Sequence, residues 1–284
     1  MLTIMGRVQL INAVISSMLV YSFHIYCWPV GLLSVLAKLM KNFIWSRDYS
    51  KKKICTVAWK FLCKHREEGG LSIKNPATVN KASLMHLSWK LLTSNEQWAQ
   101  LCRARYLRKG KPVNYHLSSS VWHGMKSHVM TLYHHPTWTI GNGQNIHFWT
   151  DTWLDKTIVE ILNIHDSLHH ELDMYASDYI VDNAWSIPDY FSVRNQSLVE
   201  KIQQITLPLV CIADKLNWND AVDGCMTNKH AFNFIAGNNP KPPLANLIWN
   251  RFIPPTRSFV VWRLLHNKLP TDDNLRKRGC VFFC

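Results

Sequence analysis

Trp249 to Cys284 reads WNRFIPPTRSFVVWRLLHNKLPTDDNLRKRGCVFFC. Pro254-Pro255 cannot continue a helix and holds Ile253 extended. The apolar run from Ser258 to Asn267 follows, and Phe259, Trp262 and His266 recur at three and four residues, which predicts an amphipathic helix. Leu269-Pro270-Thr271 breaks it. Thr271 is a suitable N-cap for a second, short helix, with Asp272 and Asp273 in its first turn and Arg276, Lys277 and Arg278 in its last. Both charge placements suit the helix dipole, and Gly279 suits the stop. Two readings of this hairpin stand side by side: one that merely packs, and one that offers a basic platform to a nucleic acid.

The rest of the chain is unevenly charged. The whole chain of 284 residues carries +13. Residues 1–130 hold 19 Lys/Arg against 4 Asp/Glu, residues 131–240 hold 5 against 13, and residues 241–284 hold 8 against 2. Basic ends around an acidic middle point to a polyanionic partner. Apolar residues at 47% suffice for hydrophobic cores. The eight cysteines form no CxxC pair, so they read as reduced intracellular thiols.

Val8 to Ala37 contains no Lys, Arg, Asp or Glu, a run long enough to raise a membrane span. Gln9, Asn12, Ser16, Ser17, Ser22 and His24 interrupt it, and Pro29-Val30-Gly31 breaks it. Two buried helices around a Trp28-Pro29 turn fit better. The second, Leu32 to Trp45, has Leu32, Leu36, Leu39 and Phe43 at helical spacing, with Lys38 and Lys41 turned away. Asn80 to Leu92 reads as a helix with Leu84, Leu87 and Leu91 on one side. Gln97 to Lys109 reads as another, with Trp98, Leu101, Cys102 and Tyr106 opposing Arg103, Arg105 and Arg108. Trp138-Thr139-Ile140-Gly141-Asn142-Gly143, with the alternation of Ile146 and Phe148, predicts a local β-hairpin. Its glycine pair lacks the third glycine of a dinucleotide fingerprint. Residues 154–215 are acidic and weakly periodic. His165, His169 and His170 do not make a convincing metal cluster, because adjacent residues leave a helix about 100° apart.

Several of these stretches resemble the reverse transcriptases of plant non-LTR (LINE-type) retroelements. Gly6 to Ile11 with Val14, Ser16 and Ser17, then Trp28-Pro29 and Asn42 to Trp45, are similar to the thumb of that family. Lys51-Lys52-Lys53-Ile54, Trp59 and Glu68 to Ile73 are similar to its basic Trp-containing stretch, with Ser72 in place of a usual glycine. Asn80 to Leu84, the Gly-x-Gly before Phe148-Trp149-x-Asp151-x-Trp153, and Asp214 to Trp218 with His230 to Ile235 follow. Ile248-Trp249, Ile253 to Pro255, Phe259 to Leu265, Leu269 to Thr271, Asp273 to Leu275 and Arg278-Gly279 match the start of its zinc-binding domain. The resemblance implies a mainly α protein with a small β element. Residues 1–130 would be a thumb-like basic helical region, 131–240 an acidic spacer with a Trp-rich hairpin, and 241–284 a truncated zinc-binding domain.

It also implies a function. The family copies RNA into DNA, and its thumb grips the template–primer duplex by the backbone, which gives affinity without sequence choice. Candidate nucleic-acid contacts are Arg7, Lys51, Lys52, Lys53, Arg103, Arg105, Arg108, Arg276, Lys277 and Arg278. The family's catalytic carboxylates lie in a Tyr-x-Asp-Asp turn, and no Asp-Asp here has that setting, so catalysis is not expected of this chain. Cys280 fits a non-ligand position, Cys284 is the one candidate for a first zinc ligand, and one ligand cannot hold zinc. The expected partner is RNA or DNA, with no cofactor and no small-molecule substrate. Nucleus or cytoplasm would follow from the family. The rival readings are an inert product of a decayed element and a membrane-associated protein anchored by residues 8–37.

Overall fold

The computed structural model describes residues 2–46, 55–108, 111–113, 115, 119–237, 239–277 and 279. It is mainly α-helical with short antiparallel strands. The chain forms two compact units, one from Met1–Leu84 with Ala231–Cys284, the other from Met85–His230. The first joins the two ends of the sequence, so it cuts across the three segments read from charge and resemblance. Charge follows the units: the first carries 20 Lys/Arg against 5 Asp/Glu, leaving +15, and the second 12 against 14, leaving −2.

In the first unit, Thr3 opens the Ile4–Leu10 helix, its hydroxyl accepting the Gly6 N–H at 3.1 Å. A π-helical stretch, Ile11–Ile15, continues it, and Pro29 separates it from the Val30–Ser46 helix. Met5, Val8 and Ile11 pack with Met40 and Ile44, with Leu62, Leu71 and Ile73, and with Ile248, Phe259 and Trp262 from the far end of the chain. The face of the Val30–Ser46 helix differs from the sequence expectation. Leu33, Met40 and Ile44 are buried, with Leu36 partly so, whereas Leu32 is 54% exposed and Leu39 43%. The period is helical in both readings. The face is selected by the Ile4–Leu10 helix against which this one packs, a choice that spacing alone does not encode.

Polar side chains fix the loops of this unit. Asn80 is buried on the Pro76–Thr93 helix. Its amide donates to the Phe23 carbonyl at 3.0 Å and the Tyr26 carbonyl at 2.8 Å, and its oxygen accepts the Trp28 N–H at 3.0 Å. One side chain thus satisfies three backbone groups of the turn around Trp28. Asn12 donates to the Ser72 carbonyl at 2.9 Å and accepts the Lys74 N–H at 3.1 Å. Among the described residues, no helix is long and apolar enough to cross a membrane.

The second unit is built on aromatic packing. Ile146, Phe148, Trp149, Trp153, Tyr179, Phe191 and Ile202 form one core, and Leu91, Leu107, Trp122, Met125 and Val129 another. The Gln97–Tyr106 helix buries Trp98, Cys102 and Tyr106 in part, but Leu101 is exposed. The expected local hairpin is not formed. Thr137–Thr139 pairs antiparallel with Lys215–Asn217, while His147 bridges to Tyr175. Residues 180–185 do make a hairpin, Ile180–Val181 with Ala184–Trp185, turned by Asp182 and Asn183 at φ of 50° and 60°. Two successive left-handed residues give the turn whose twist matches paired strands.

The reason for the distant pairing is Asp214. Its carboxylate accepts the N–H groups of Gly141, Gly143 and Asn145, each at 2.8 Å. The Gly-x-Gly loop is wrapped around this carboxylate. A Cβ on Gly141 would lie 2.1 Å from the Ile212 carbonyl oxygen, and Gly143 sits at φ +71°. Both positions exclude a side chain, so the glycines serve an internal carboxylate.

Asp151 is also held by backbone, accepting the His147 N–H at 2.8 Å. Burial raises its pKa above the ordinary carboxylate range, and the His147 N–H, the His147 ring and Lys111 draw it partly back. The folded state therefore holds a proton at pH values where the unfolded chain has lost it. Stability from this group is greatest below the unfolded pKa and falls as pH rises through the raised one. We predict that melting curves of wild type and Asp151→Asn differ in a pH-dependent way, the wild type losing ground steadily above about pH 4. A difference that stays constant with pH would contradict this assignment.

Candidate nucleic-acid interface

The Trp59–Leu62 helix carries Lys60 and Phe61, and Lys64 follows two residues later. Leu62 is the anchor: it is fully buried, and its carbonyl accepts the N–H groups of Leu71 at 3.1 Å and Ile73 at 3.3 Å. With Leu62 inward, Phe61 is left 37% exposed. The Lys60 ammonium lies 5.7 Å from the Phe61 ring centre and the Lys64 ammonium 5.5 Å. The His266 ring, from the C-terminal part of the same unit, is 6.5 Å away. An exposed aromatic ring flanked by two cations offers a stacking surface and phosphate neutralisation together.

The loop after Lys64 clears this surface of acid. Glu68 accepts from the Asn239 side chain at 3.2 Å, and Glu67 pairs with Lys241 at 2.7 Å. Lys241 holds the Glu67 carboxyl below its ordinary pKa, first by hydrogen bond and then by charge. Arg66 stacks on Trp249, its guanidinium 5.2 Å from the ring centre. Ser72 sits at φ 55° in the left-handed region. Its hydroxyl accepts the Arg66 N–H at 2.9 Å, an interaction glycine could not make. Burial pushes the Cys63 thiol up to about 12, so this cysteine stays protonated and is neither a nucleophile nor a ready metal ligand.

The residues singled out from the sequence are dispersed. Arg7 is buried, and its guanidinium donates to the Phe43 carbonyl at 3.0 Å, which places it in the core and not on the surface. Arg103 is half-buried and donates to the Leu91 carbonyl at 2.6 Å and the Ser94 carbonyl at 2.7 Å, closing the turn between two helices. Arg105 and Arg108 are exposed in the second unit, Arg108 donating to the carbonyls of Ala104 and Leu107. Arg276 and Lys277 are exposed at the end of the Asp272–Arg276 helix, which Thr271 precedes as expected. Lys51, Lys52, Lys53, Arg278 and Cys284 lie outside the described residues. Lys60, Phe61 and Lys64 are absent from the sequence-derived candidates, although cations at i and i+4 around an aromatic residue are a visible signal.

No group of three or more His, Cys, Asp or Glu able to hold a metal ion is found among the described residues. His230 contacts the Cys225 carbonyl at 3.3 Å, and His266 packs edge-on against Trp262. Asp272 and Asp273 occupy the first turn of their helix, the position its dipole favours.

Placed on this geometry, the comparisons with known proteins are specific. Residues 227–282 match the family described as zinc-binding in reverse transcriptase. The matched segment contains the Pro255–Leu265 and Asp272–Arg276 helices. Over 292 residues the chain is 27% identical to an Arabidopsis thaliana protein named "Putative ribonuclease H protein", covering 98% of this chain and 47% of that protein. It is 29% identical over 154 residues to an "Uncharacterized mitochondrial protein" of the same plant, covering 51% of this chain and 97% of that one. The chain thus spans about half the length of the first relative. The resemblance read from the sequence is borne out: residues 227–282 match a reverse-transcriptase family, and the relatives that extend the match over the chain are plant proteins.

Proposed function

We propose that this chain binds nucleic acid without sequence choice, through its basic first unit, and that it performs no catalysis itself. The observation that carries the reading is the exposed Phe61 ring between Lys60 and Lys64, on a unit with a charge of +15. Ammonium groups neutralise phosphates and release counterions, whatever the base sequence. The ring offers a face to an unpaired base, also without choice of base. Arg276 and Lys277 add exposed cations at the end of the Asp272–Arg276 helix. The carboxylates met in the structure have structural duties, Asp214 in the glycine loop, Asp151 against His147, Asp272 and Asp273 at a helix start. That supports a positioning part of a copying machinery over a phosphoryl-transfer centre, which needs paired carboxylates holding metal ions.

The test is a salt titration of variants. In Lys60→Ala/Lys64→Ala, the slope of log affinity against log salt should fall by about 2 for duplex nucleic acid, about one per lost phosphate contact. Phe61→Ala should weaken single-strand binding by about 1–3 kcal/mol and leave duplex binding nearly unchanged. An unchanged slope in the double variant would remove this surface from the interface.

A further inference from the structure

The C-terminal segment that matches the reverse-transcriptase family holds a second surface of a different character. The Ala245–Ile248 helix and the Pro255–Leu265 helix enclose a groove of about 220 Å³ lined by Leu244, Leu247, Ile248, Ile253, Val261 and Leu265. Small-molecule pockets run to about 300–1,000 Å³, so this groove suits a row of side chains better than a ligand. Its walls stand open to solvent, with Leu247 65% exposed and Leu244, Val261 and Leu265 exposed as well. Ser258 supplies the one polar side chain of the lining and is itself buried. Such a lining cannot neutralise a phosphate, so the groove is not an extension of the surface around Phe61. A contiguous apolar patch with a polar rim marks a protein-binding site.

The charge around it selects the occupant. From Gly224 to Thr271 the sequence contains no Asp or Glu, and while Lys241 pairs with Glu67 and Arg263 donates to the Lys268 carbonyl, Arg251 and Arg257 are exposed cations. Arg257 is one turn before Val261 on the same helix, and Arg251 is exposed with its guanidinium 4.8 Å from the Phe252 ring centre. Two copies of so basic a face would repel each other. A short apolar trough between two helices fits an amphipathic helix laid along it, its apolar residues recurring at three and four. We propose that the groove between Ala245–Ile248 and Pro255–Leu265 docks an amphipathic helix whose flanks are acidic, belonging to a protein partner. Leu and Phe anchors would fill the trough, and carboxylates on either side would meet Arg251 and Arg257. The complementary charge sets the orientation and speeds encounter, and the apolar anchors supply most of the affinity.

The probe is a fluorescent helical peptide of about five turns, with Leu and Phe on one face and Glu on both flanks. Its comparators are the same peptide with Lys for Glu and a shuffled acidic peptide. Titrated against the full chain, the acidic amphipathic peptide should bind to one site, and both comparators about tenfold or more weakly. Leu247→Asp and Val261→Asp should each weaken it about tenfold, at exposed positions where an unchanged circular dichroism spectrum checks the fold. Arg257→Glu should weaken it less and abolish the preference for Glu over Lys. Equal binding of the shuffled or Lys-flanked peptide would overturn the proposal. So would affinity that survives Leu247→Asp. A dimer dissolved by Leu247→Asp would assign the groove to a second copy instead, and duplex binding lost in that variant would assign it to nucleic acid.

Discussion

Trp262→Ala should cost about 3–5 kcal/mol of folding free energy, the range for emptying an aromatic site in a closed core. Trp262 is 0% exposed. It stacks on Phe259 with ring centres 5.7 Å apart and meets His266 edge-on at 5.2 Å. Its indole N–H donates to the Gly69 carbonyl at 2.6 Å. That bond ties residues near the two ends of the chain into one unit. The truncation leaves a cavity and also strands a buried carbonyl, two penalties that add. Whole domains hold about 5–15 kcal/mol, so the first unit should be close to unfolded. Urea denaturation followed by circular dichroism would measure it, with Trp262→Phe as control. The phenylalanine keeps most of the packing and loses the hydrogen bond, so its cost should be roughly half or less. A loss under about 1 kcal/mol for the alanine variant would mean that the C-terminal helices do not share a core with the N-terminal ones.

Asp214→Ala is the second large effect, in the other unit. Three backbone N–H groups converge on this carboxylate, and charge-assisted bonds are worth about twice neutral ones. Removing it strands three donors, two of them part-buried. The expected cost is about 3 kcal/mol or more. Because Asp214 directly precedes Lys215–Asn217, the pairing with Thr137–Thr139 should loosen with it. Hydrogen exchange at Trp138 and Thr139 would show this, as would the near-ultraviolet signal of the tryptophan core. Asp214→Asn should be intermediate, since one oxygen still accepts while the new amide donors face N–H groups. Protection of Trp138 that survives Asp214→Ala would reverse cause and effect: the strand pairing would then hold the loop.

How far the sequence could be read depended on the range of the interaction. Thr271, Asp272 and Asp273 mark a helix start within four residues, and the Asp272–Arg276 helix begins there. The three-and-four spacing of Phe259, Trp262 and His266 was likewise legible, because periodicity is local, although the helix begins at Pro255 and not at the expected Ser258. The face of the Val30–Ser46 helix was not, because Leu32 and Leu33 serve equally well until a neighbour chooses. The strand partner of Trp138 lies at Leu216, and nothing near Trp138 announces it. Asp214 was visible as a residue, but its three donors lie about 70 residues earlier. The candidate site divides in the same way. A charge count found the basic ends of the chain, yet it gave Arg7 and Arg103 to a surface when both cap carbonyls internally. Arginine is well suited to that task, with five donors in a fixed fork. The Lys60, Phe61 and Lys64 grouping became evident once Leu62 was known to point inward.

A basic unit related to reverse transcriptases should bind nucleic acid by its backbone. The most direct measurement is the affinity of the full chain for two unrelated duplex sequences, across a range of salt. We predict equal affinities for both, and a linear fall of log affinity with log salt whose slope counts several phosphate contacts. Failure to bind at low salt, or binding that ignores salt, would contradict it.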